Sequence, residues 1–235
     1  MSDQQFRHEE KFLVSSDMME VTRRRLANVM DIDTHASHNN QYHIRSVYFD
    51  DMYHSCYYDN ENGIDPRSKF RIRIYNLSSD VISLEKKSKI RGMTLKQTYQ
   101  IDYDDCLKMI KGETIDNRVG QSPVLDEWIY LRNARLLKPV FICEYLRIPY
   151  VFKQGNVRIT FDTKICASKQ CSNLFSPNIS RIAVMKSCLN LIEIKYDSYL
   201  PDVLRGIIDN THMNRISFSK FYLSYKAIGG HTIVF

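Results

Sequence analysis

The sequence predicts an α+β fold, a closed eight-stranded antiparallel β-barrel with helices packed on the outside, formed by a single domain over residues 1–235. Three observations lead there. Eight segments alternate polar or charged residues with Ile, Val, Leu or Phe, the period of two that marks a strand with unlike faces. At least six of them carry Lys, Arg or Glu on the polar face, and Arg recurs beside Glu and Tyr, unlike the unrelated Lys and Glu of a solvated surface. Helical stretches with apolar stripes offer cover for the aliphatic faces. Eight antiparallel strands close around a space just wide enough for side chains and one small ligand. Basic residues aimed into that low-dielectric space repel one another, so the arrangement makes sense only around a polyanion.

Residues 6–13 form the first expected strand, with Arg7, Glu9 and Lys11 on one face. Ser15, Ser16 and Asp17 then offer capping oxygens for a helix over residues 18–30. A polar loop follows at 33–40, and the Tyr, Ile, Val and Phe of 42–50 give the second strand. Gly63 and Pro66 mark a turn in the Asp-, Asn- and Tyr-rich connection that follows. The third strand, 68–75, shows the alternation most plainly, with Lys69, Arg71 and Arg73 opposing Phe70, Ile72 and Ile74. Taken alone it says apolar inside and charge in water; repeated in seven other segments, it places Arg71 and Arg73 inward. Lys69, nearest the strand's start, is assigned no contact.

The fourth strand, 81–89, contains Leu84-Glu85-Lys86-Lys87. The fifth, 94–102, sets Thr94, Lys96, Thr98 and Gln100 against Leu95, Gln97, Tyr99 and Ile101. Helices are expected at 104–111 and 125–137, the second with Leu125, Trp128, Ile129, Leu131 and Leu136 as its apolar stripe. In the sixth strand, 139–149, Phe141, Cys143, Tyr145 and Arg147 share a face; in the seventh, 157–162, Arg158, Thr160 and Asp162 oppose Val157, Ile159 and Phe161. Residues 163–188 read as irregular, and the eighth strand, 190–196, opposes Leu191, Glu193 and Lys195 to Ile192, Ile194 and Tyr196. Pro201 opens a helix to residue 210, and a last helix covers 219–227. The helices at 18–30, 104–111, 125–137 and 201–210 are the ones expected to cover the barrel.

A formal net charge of +6 agrees with an anionic partner but does not by itself separate nucleic acid, lipid and phosphorylated metabolites. The six cysteines form no Cys-x-x-Cys pair and read as reduced thiols, and no His or Cys cluster completes a zinc site around Cys166 and Cys171. His8, His43 and His54 lack a ligand pattern and read as surface or packing residues. No apolar run approaches the roughly 18 residues of a membrane span, and the first residues carry no apolar signal core, so a soluble, cytoplasmic protein is expected. Exposed aromatic stacking motifs for RNA are missing, and no nucleic acid partner is expected.

Several blocks carry a resemblance. They are Arg7-His8-Glu9-Glu10-Lys11-Phe12, Ser46-Val47-Tyr48-Phe49-Asp50, Lys69-Phe70-Arg71-Ile72-Arg73, Leu84-Glu85-Lys86-Lys87, Tyr145-Leu146-Arg147, Arg158-Ile159-Thr160-Phe161-Asp162, Glu193-Ile194-Lys195 and Ser219-Lys220-Phe221. In this order and over nearly the whole chain, they resemble the polyphosphate-polymerase domain of the vacuolar transporter chaperone (VTC) family, a branch of the CYTH-like triphosphate tunnel metalloenzymes. The resemblance implies an eight-stranded antiparallel tunnel that binds a nucleoside triphosphate, with ATP expected, by its phosphate tail. It also implies a metal-dependent phosphotransferase in which the end of an inorganic polyphosphate chain attacks the γ-phosphoryl group. Such transfer needs mainly alignment and charge stabilisation.

Matched position by position, the resemblance assigns catalytic phosphate contacts to Lys11, Arg71, Arg73 and Lys87. Further phosphate contacts fall to Lys96, Tyr145, Arg147, Arg158, Ser219 and Lys220. Tyr145 has a second reading, as an aromatic packed in the barrel wall. The implied cofactor is Mn²⁺ or Mg²⁺, hard ions that favour carboxylate oxygen. Glu193 matches the metal ligand; Glu9 and Glu85 either join it or form salt bridges with neighbouring Lys and Arg.

One departure bears on the reaction. Hydrolytic tunnel enzymes begin with Glu-x-Glu-x-Lys, whereas Arg7 holds the first position here. The change favours the polymerase branch over a triphosphatase with two metals and a positioned water. Hydrolysis of tripolyphosphate or nucleoside triphosphate stays open as an alternative, as does a non-catalytic polyanion-binding module. Without the membrane helices of the larger VTC proteins, the chain is not expected to translocate a product by itself, and a membrane-protein partner stays open.

Overall fold

A computed structural model describes residues 6–36, 39–209 and 213–229. The elements run β1 (His8–Ser15), α1 (Ser16–Leu26), β2 (Asp31–Ile32), β3 (Tyr42–Asp50), α2 (Ser55–Glu61), β4 (Arg67–Tyr75), β5 (Ser83–Ile90) and β6 (Met93–Gln100). They continue with α3 (Tyr103–Lys111), α4 (Pro123–Arg135), β7 (Lys138–Phe152), β8 (Val157–Ser168), β9 (Ile182–Ala183), β10 (Leu189–Tyr196), α5 (Asp202–Asp209) and α6 (Lys220–Ile228). Each expected strand and helix has a counterpart; Asn210, the last residue of the expected fourth helix, lies outside the described residues. Side chains set the helix starts: Ser15 accepts from Met18 N, Asp102 from Asp105 N, Ser122 from Val124 N and Ser219 from Tyr222 N. Among the described residues, no helix is long and apolar enough to cross a membrane.

All strand pairs are antiparallel, in the order β1-β10-β8-β7-β3-β4-β5-β6, with the short β2 and β9 added on β7 and β8. The expected closed barrel is corrected here: the eight-strand path curls into an open half-barrel. Its end strands β1 and β6 meet only near one bridge, Arg7 with Thr94. The free edge of β1 is already taken. Ile216 N donates to Lys11 O at 2.8 Å and Arg215 bridges Phe12, so the segment before α6 occupies backbone groups that closure would need.

Two apolar layers cover the outer face, as the alternation requires. Ile72, Ile74, Leu84 and Phe70 pack with Met109 of α3 and with Leu125 and Trp128 of α4. Phe12, Ile159, Phe161 and Ile192 pack with Leu26 of α1 and with Leu204 and Ile208 of α5. The last helix, not among those expected to cover the barrel, lies on the concave side. Phe221 of α6 and Phe218 just before it join inward-facing Tyr48, Phe141, Cys143 and Leu191, so α6 fills one end of the concave face and leaves only the remainder polar. The charge pattern has an exception too. Arg45, on the outward face, is fully buried because Glu144 and the carbonyls of Leu174 and Ser176 receive its N–H groups.

Candidate active site: a cation-lined cavity

Alternation on β1, β4, β5, β7 and β10 sends one residue in two into the concavity. The space left beside α6 is a cavity of about 500 Å³. Among the described residues, eleven lysines and arginines line it against two carboxylates, Glu9 and Glu193. Strand register sets the neighbours: Lys11 lies opposite Glu193, Glu9 opposite Lys195, Arg71 opposite Glu85 and Lys69 opposite Lys87. The last pairing puts like charges face to face, which destabilises a sheet unless something else gains from it.

On the β4 side, Arg71 grips Glu85 with Nε at 2.7 Å and Nη2 at 2.6 Å, and its Nη1 donates to the Tyr48 hydroxyl at 3.0 Å. Arg73 donates to Tyr145 Oη at 3.2 Å and to Ser46 Oγ at 3.3 Å. On the β1 side, Lys87 donates to both Glu9 oxygens at 2.8 and 3.0 Å, and Lys11 reaches Glu9 at 2.8 Å and the Phe218 carbonyl at 2.6 Å. Lys69 donates to Ser219 Oγ at 3.1 Å and sits over the Phe221 ring. At the floor, Arg147, Asp162, Glu193 and Lys220 form a network in which every member is buried.

These contacts set the ionisation. Burial opposes charge on Glu9, but Lys87, Lys11 and Lys195 outweigh it and hold the carboxyl well below the usual range. Glu193 is held down in the same way, against burial, chiefly by Lys195, Lys220 and Arg147. Burial lowers the Lys69 ammonium well below its ordinary range, and the charges of Lys87, Lys11 and Arg71 push the same way. For Lys87, burial together with Lys11 and Lys195 overcomes the help of Glu9 and brings the ammonium down to about 7. Lys220 goes the other way: against burial, Asp162 and Glu193 raise it. The floor is thus internally neutralised, whereas the upper cavity holds more positive charge than its carboxylates balance.

Over residues 6–228 the sequence matches the VTC domain family. The chain belongs to that family. Its fold is shared with a proposed adenylyl cyclase from Hippeastrum, described as having a dominant triphosphatase activity, at a TM-score of 0.56 and 12% identity over 97% of each chain. A proposed adenylate cyclase from Bacillus halodurans superposes with a TM-score of 0.54 and 13% identity, covering 92% of this chain and 95% of the other. One from Vibrio parahaemolyticus gives 0.50 and 10%, covering 94% and 98%. A sequence search of curated proteins finds no match.

In this VTC domain, Glu9, Lys11, Arg71, Arg73, Lys87, Tyr145, Arg147, Glu193, Ser219 and Lys220 all line the one cavity. Three residues assigned from sequence do not. Arg158 bonds Asp33 at 2.8 Å and the Tyr42 hydroxyl at 3.1 Å; Lys96, half-exposed, reaches Glu85 at 3.2 Å. Glu85 itself lies behind Arg71. Conversely, Lys69 and Lys195 line the cavity without an assigned role, although both fall on the inward face that alternation marks. Asp162 had the same signal, sharing a face with Thr160 and Arg158.

As a metal site, the cavity offers two carboxylates, Glu9 and Glu193, both lining it and both salt-bridged to Lys11. Among the described residues no group of three His, Cys, Asp or Glu comes together. That donor set fits Mg²⁺ or Mn²⁺ bound through one or two carboxylates with substrate phosphates and water, and does not fit an all-protein cage. Glu85, gripped by Arg71, belongs to the salt-bridge reading.

Proposed function

We propose that this VTC domain is a polyphosphate polymerase, a metal-dependent phosphotransferase that moves the γ-phosphoryl group of a nucleoside triphosphate, ATP first among them, onto a growing polyphosphate chain. The observation that carries the reading is the excess of cations over carboxylates lining one cavity, with Lys69 and Lys87 held face to face. A bound polyanion would relieve that repulsion. Arg71, Arg73 and Arg147 would grip phosphate oxygens through their planar forks, and Lys11, Lys69 and Lys87 would supply mobile point charges. A terminal oxygen of the polyphosphate chain forms the new bond to the γ-phosphorus. The bond from that phosphorus to the β,γ-bridging oxygen breaks, and the nucleoside diphosphate leaves. The cations lower the barrier by meeting charge where it develops, already oriented. A divalent ion held by Glu193 and Glu9 would add charge neutralisation at the phosphates.

The fate of Arg7 supports chain synthesis over hydrolysis. Its side chain turns away to Asp197, at 2.9 Å, and to the Asn156 carbonyl, so neither a carboxylate nor its replacement enters the cavity at that position. A triphosphatase is the second reading, favoured by the activity described for the Hippeastrum neighbour; water then replaces the polyphosphate end. Incubation of the pure protein with ATP and Mn²⁺ separates them. A ladder of long polyphosphate is the expected result; orthophosphate without chains would establish the second reading, and polyphosphate binding without turnover a binding module.

A further inference from the structure

At the cavity floor, one carboxylate bonded to two buried cations has no role in the proposed reaction. Asp162 of β8 is completely buried. Its Oδ1 accepts from Arg147 Nε at 2.6 Å, and its Oδ2 accepts from Arg147 Nη2 at 2.7 Å and meets Lys220 Nζ at 2.6 Å. Arg147 Nη2 and Lys220 Nζ also reach the two oxygens of Glu193, at 2.8 and 3.1 Å. Two cations and two carboxylates, contributed by β7, β8, β10 and α6, are therefore bonded into one ring.

The ring fixes what remains free. With Nε and Nη2 committed, Arg147 keeps Nη1 as the guanidinium nitrogen with no protein partner among the described residues, and Arg147 lines the cavity. Lys220 is committed to two carboxylates and rests 4.8 Å from the Tyr145 ring centroid, leaving one of its three N–H groups. A bidentate partner fixes both the position and the plane of a guanidinium. Asp162 does not line the cavity; it stands behind the cations that do.

We propose that Asp162 is a positioning residue for the phosphate site: it aims the free edge of Arg147 into the cavity and, through Lys220, ties α6 to the sheet there. This rests on the reading of the cavity as a phosphate site, and it differs from a purely electrostatic role in sign. Removing a buried negative charge raises the cavity's net positive charge, which by Coulomb attraction alone tightens a polyanion. Removing a positioning contact loosens it.

The test is tripolyphosphate affinity, measured calorimetrically on the full chain for wild type, Asp162→Asn, Arg147→Met and the double variant, beside ATP turnover. Asp162→Asn should weaken tripolyphosphate about tenfold, the scale of a lost charged hydrogen bond. The same change made on Arg147→Met should cost less than about twofold, because the residue it positions is gone. Unchanged or tighter binding by Asp162→Asn overturns the proposal, as does full additivity. If Asp162→Asn does not fold, the double variant is compared with Arg147→Met alone: equal affinities support positioning, and a further loss overturns it. Wild-type affinity in Arg147→Met also overturns it. Should wild type bind tripolyphosphate without turning ATP over, the polymerase reading falls while the binding cycle still decides the role of Asp162; no binding at all overturns both.

Discussion

At Lys87 two opposite pressures meet. Glu9 accepts its N–H groups, yet burial and the neighbouring ammoniums of Lys11 and Lys195 bring it down to about 7 from an ordinary 10.5. Between those two values the unfolded chain holds more protons at this site than the folded one, so this contribution to stability rises with pH from about 7 to about 10.5. A polyphosphate bound beside it would favour the ammonium again. Tripolyphosphate binding is therefore expected to take up protons near neutral pH and to weaken above it; calorimetry in buffers of differing ionisation enthalpy reads the uptake, and Lys87→Met should reduce it. Arg71 is the other decisive residue on this face, with Glu85 and Tyr48 fixing its plane. Arg71→Ala or Lys87→Ala should abolish synthesis of polyphosphate, and near-normal chain formation by either would remove these residues from the site.

Among the elements, α6 does two things. Its cap residue Ser219 accepts from Tyr222 N at 3.3 Å and also from Lys69 Nζ at 3.1 Å, so helix start and cavity wall share one hydroxyl. Ser219→Ala is expected to lower stability by about 1 kcal/mol, measurable by urea unfolding. It should also weaken tripolyphosphate, because Lys69 loses its only described hydrogen bond. Phe221 anchors the same helix in the concavity against Tyr48 and Phe141. Phe221→Ala should cost about 3–5 kcal/mol in the same measurement, the usual scale for an aromatic lost from a core. A small loss would mean that α6 is not held by that contact.

For the molecule as a whole, an excess of positive charge enclosed by one sheet destabilises the empty state. A ligand that binds only the folded protein stabilises it by about 2.7 kcal/mol at a hundredfold excess over Kd. Tripolyphosphate should thus raise the melting temperature much more than sulfate at equal ionic strength. The difference should shrink as monovalent salt rises from about 0.1 M to about 1 M and the Debye length falls from about 10 to about 3 Å. Equal shifts with both anions would mean that the cavity does not select a phosphate chain.

The sequence alone determined the order of the eight strands on the sheet path and of five helices, though not α2, β2, β9 or the extension of β8 to Ser168, together with the polar inner face and most of the cavity's cations. A period of two is a local property of the chain, and repetition over eight strands tells a lined interior from a wet surface. It had no means to determine which inward residues share one space. Arg158 and Lys96 have the right parity and lie with Asp33 and Glu85 instead, while Lys69 and Lys195, of the same parity and without an assigned role, line the cavity. Nor does parity see that Arg215 and Ile216 occupy the edge of β1 and leave the barrel open, or that α6 fills one end of it. Those outcomes depend on hydrogen bonds and contacts between residues up to roughly two hundred positions apart, such as Lys11 with Ile216 and Phe218. Alternation fixes the face a side chain takes; the neighbour that holds it there is decided by the folded chain.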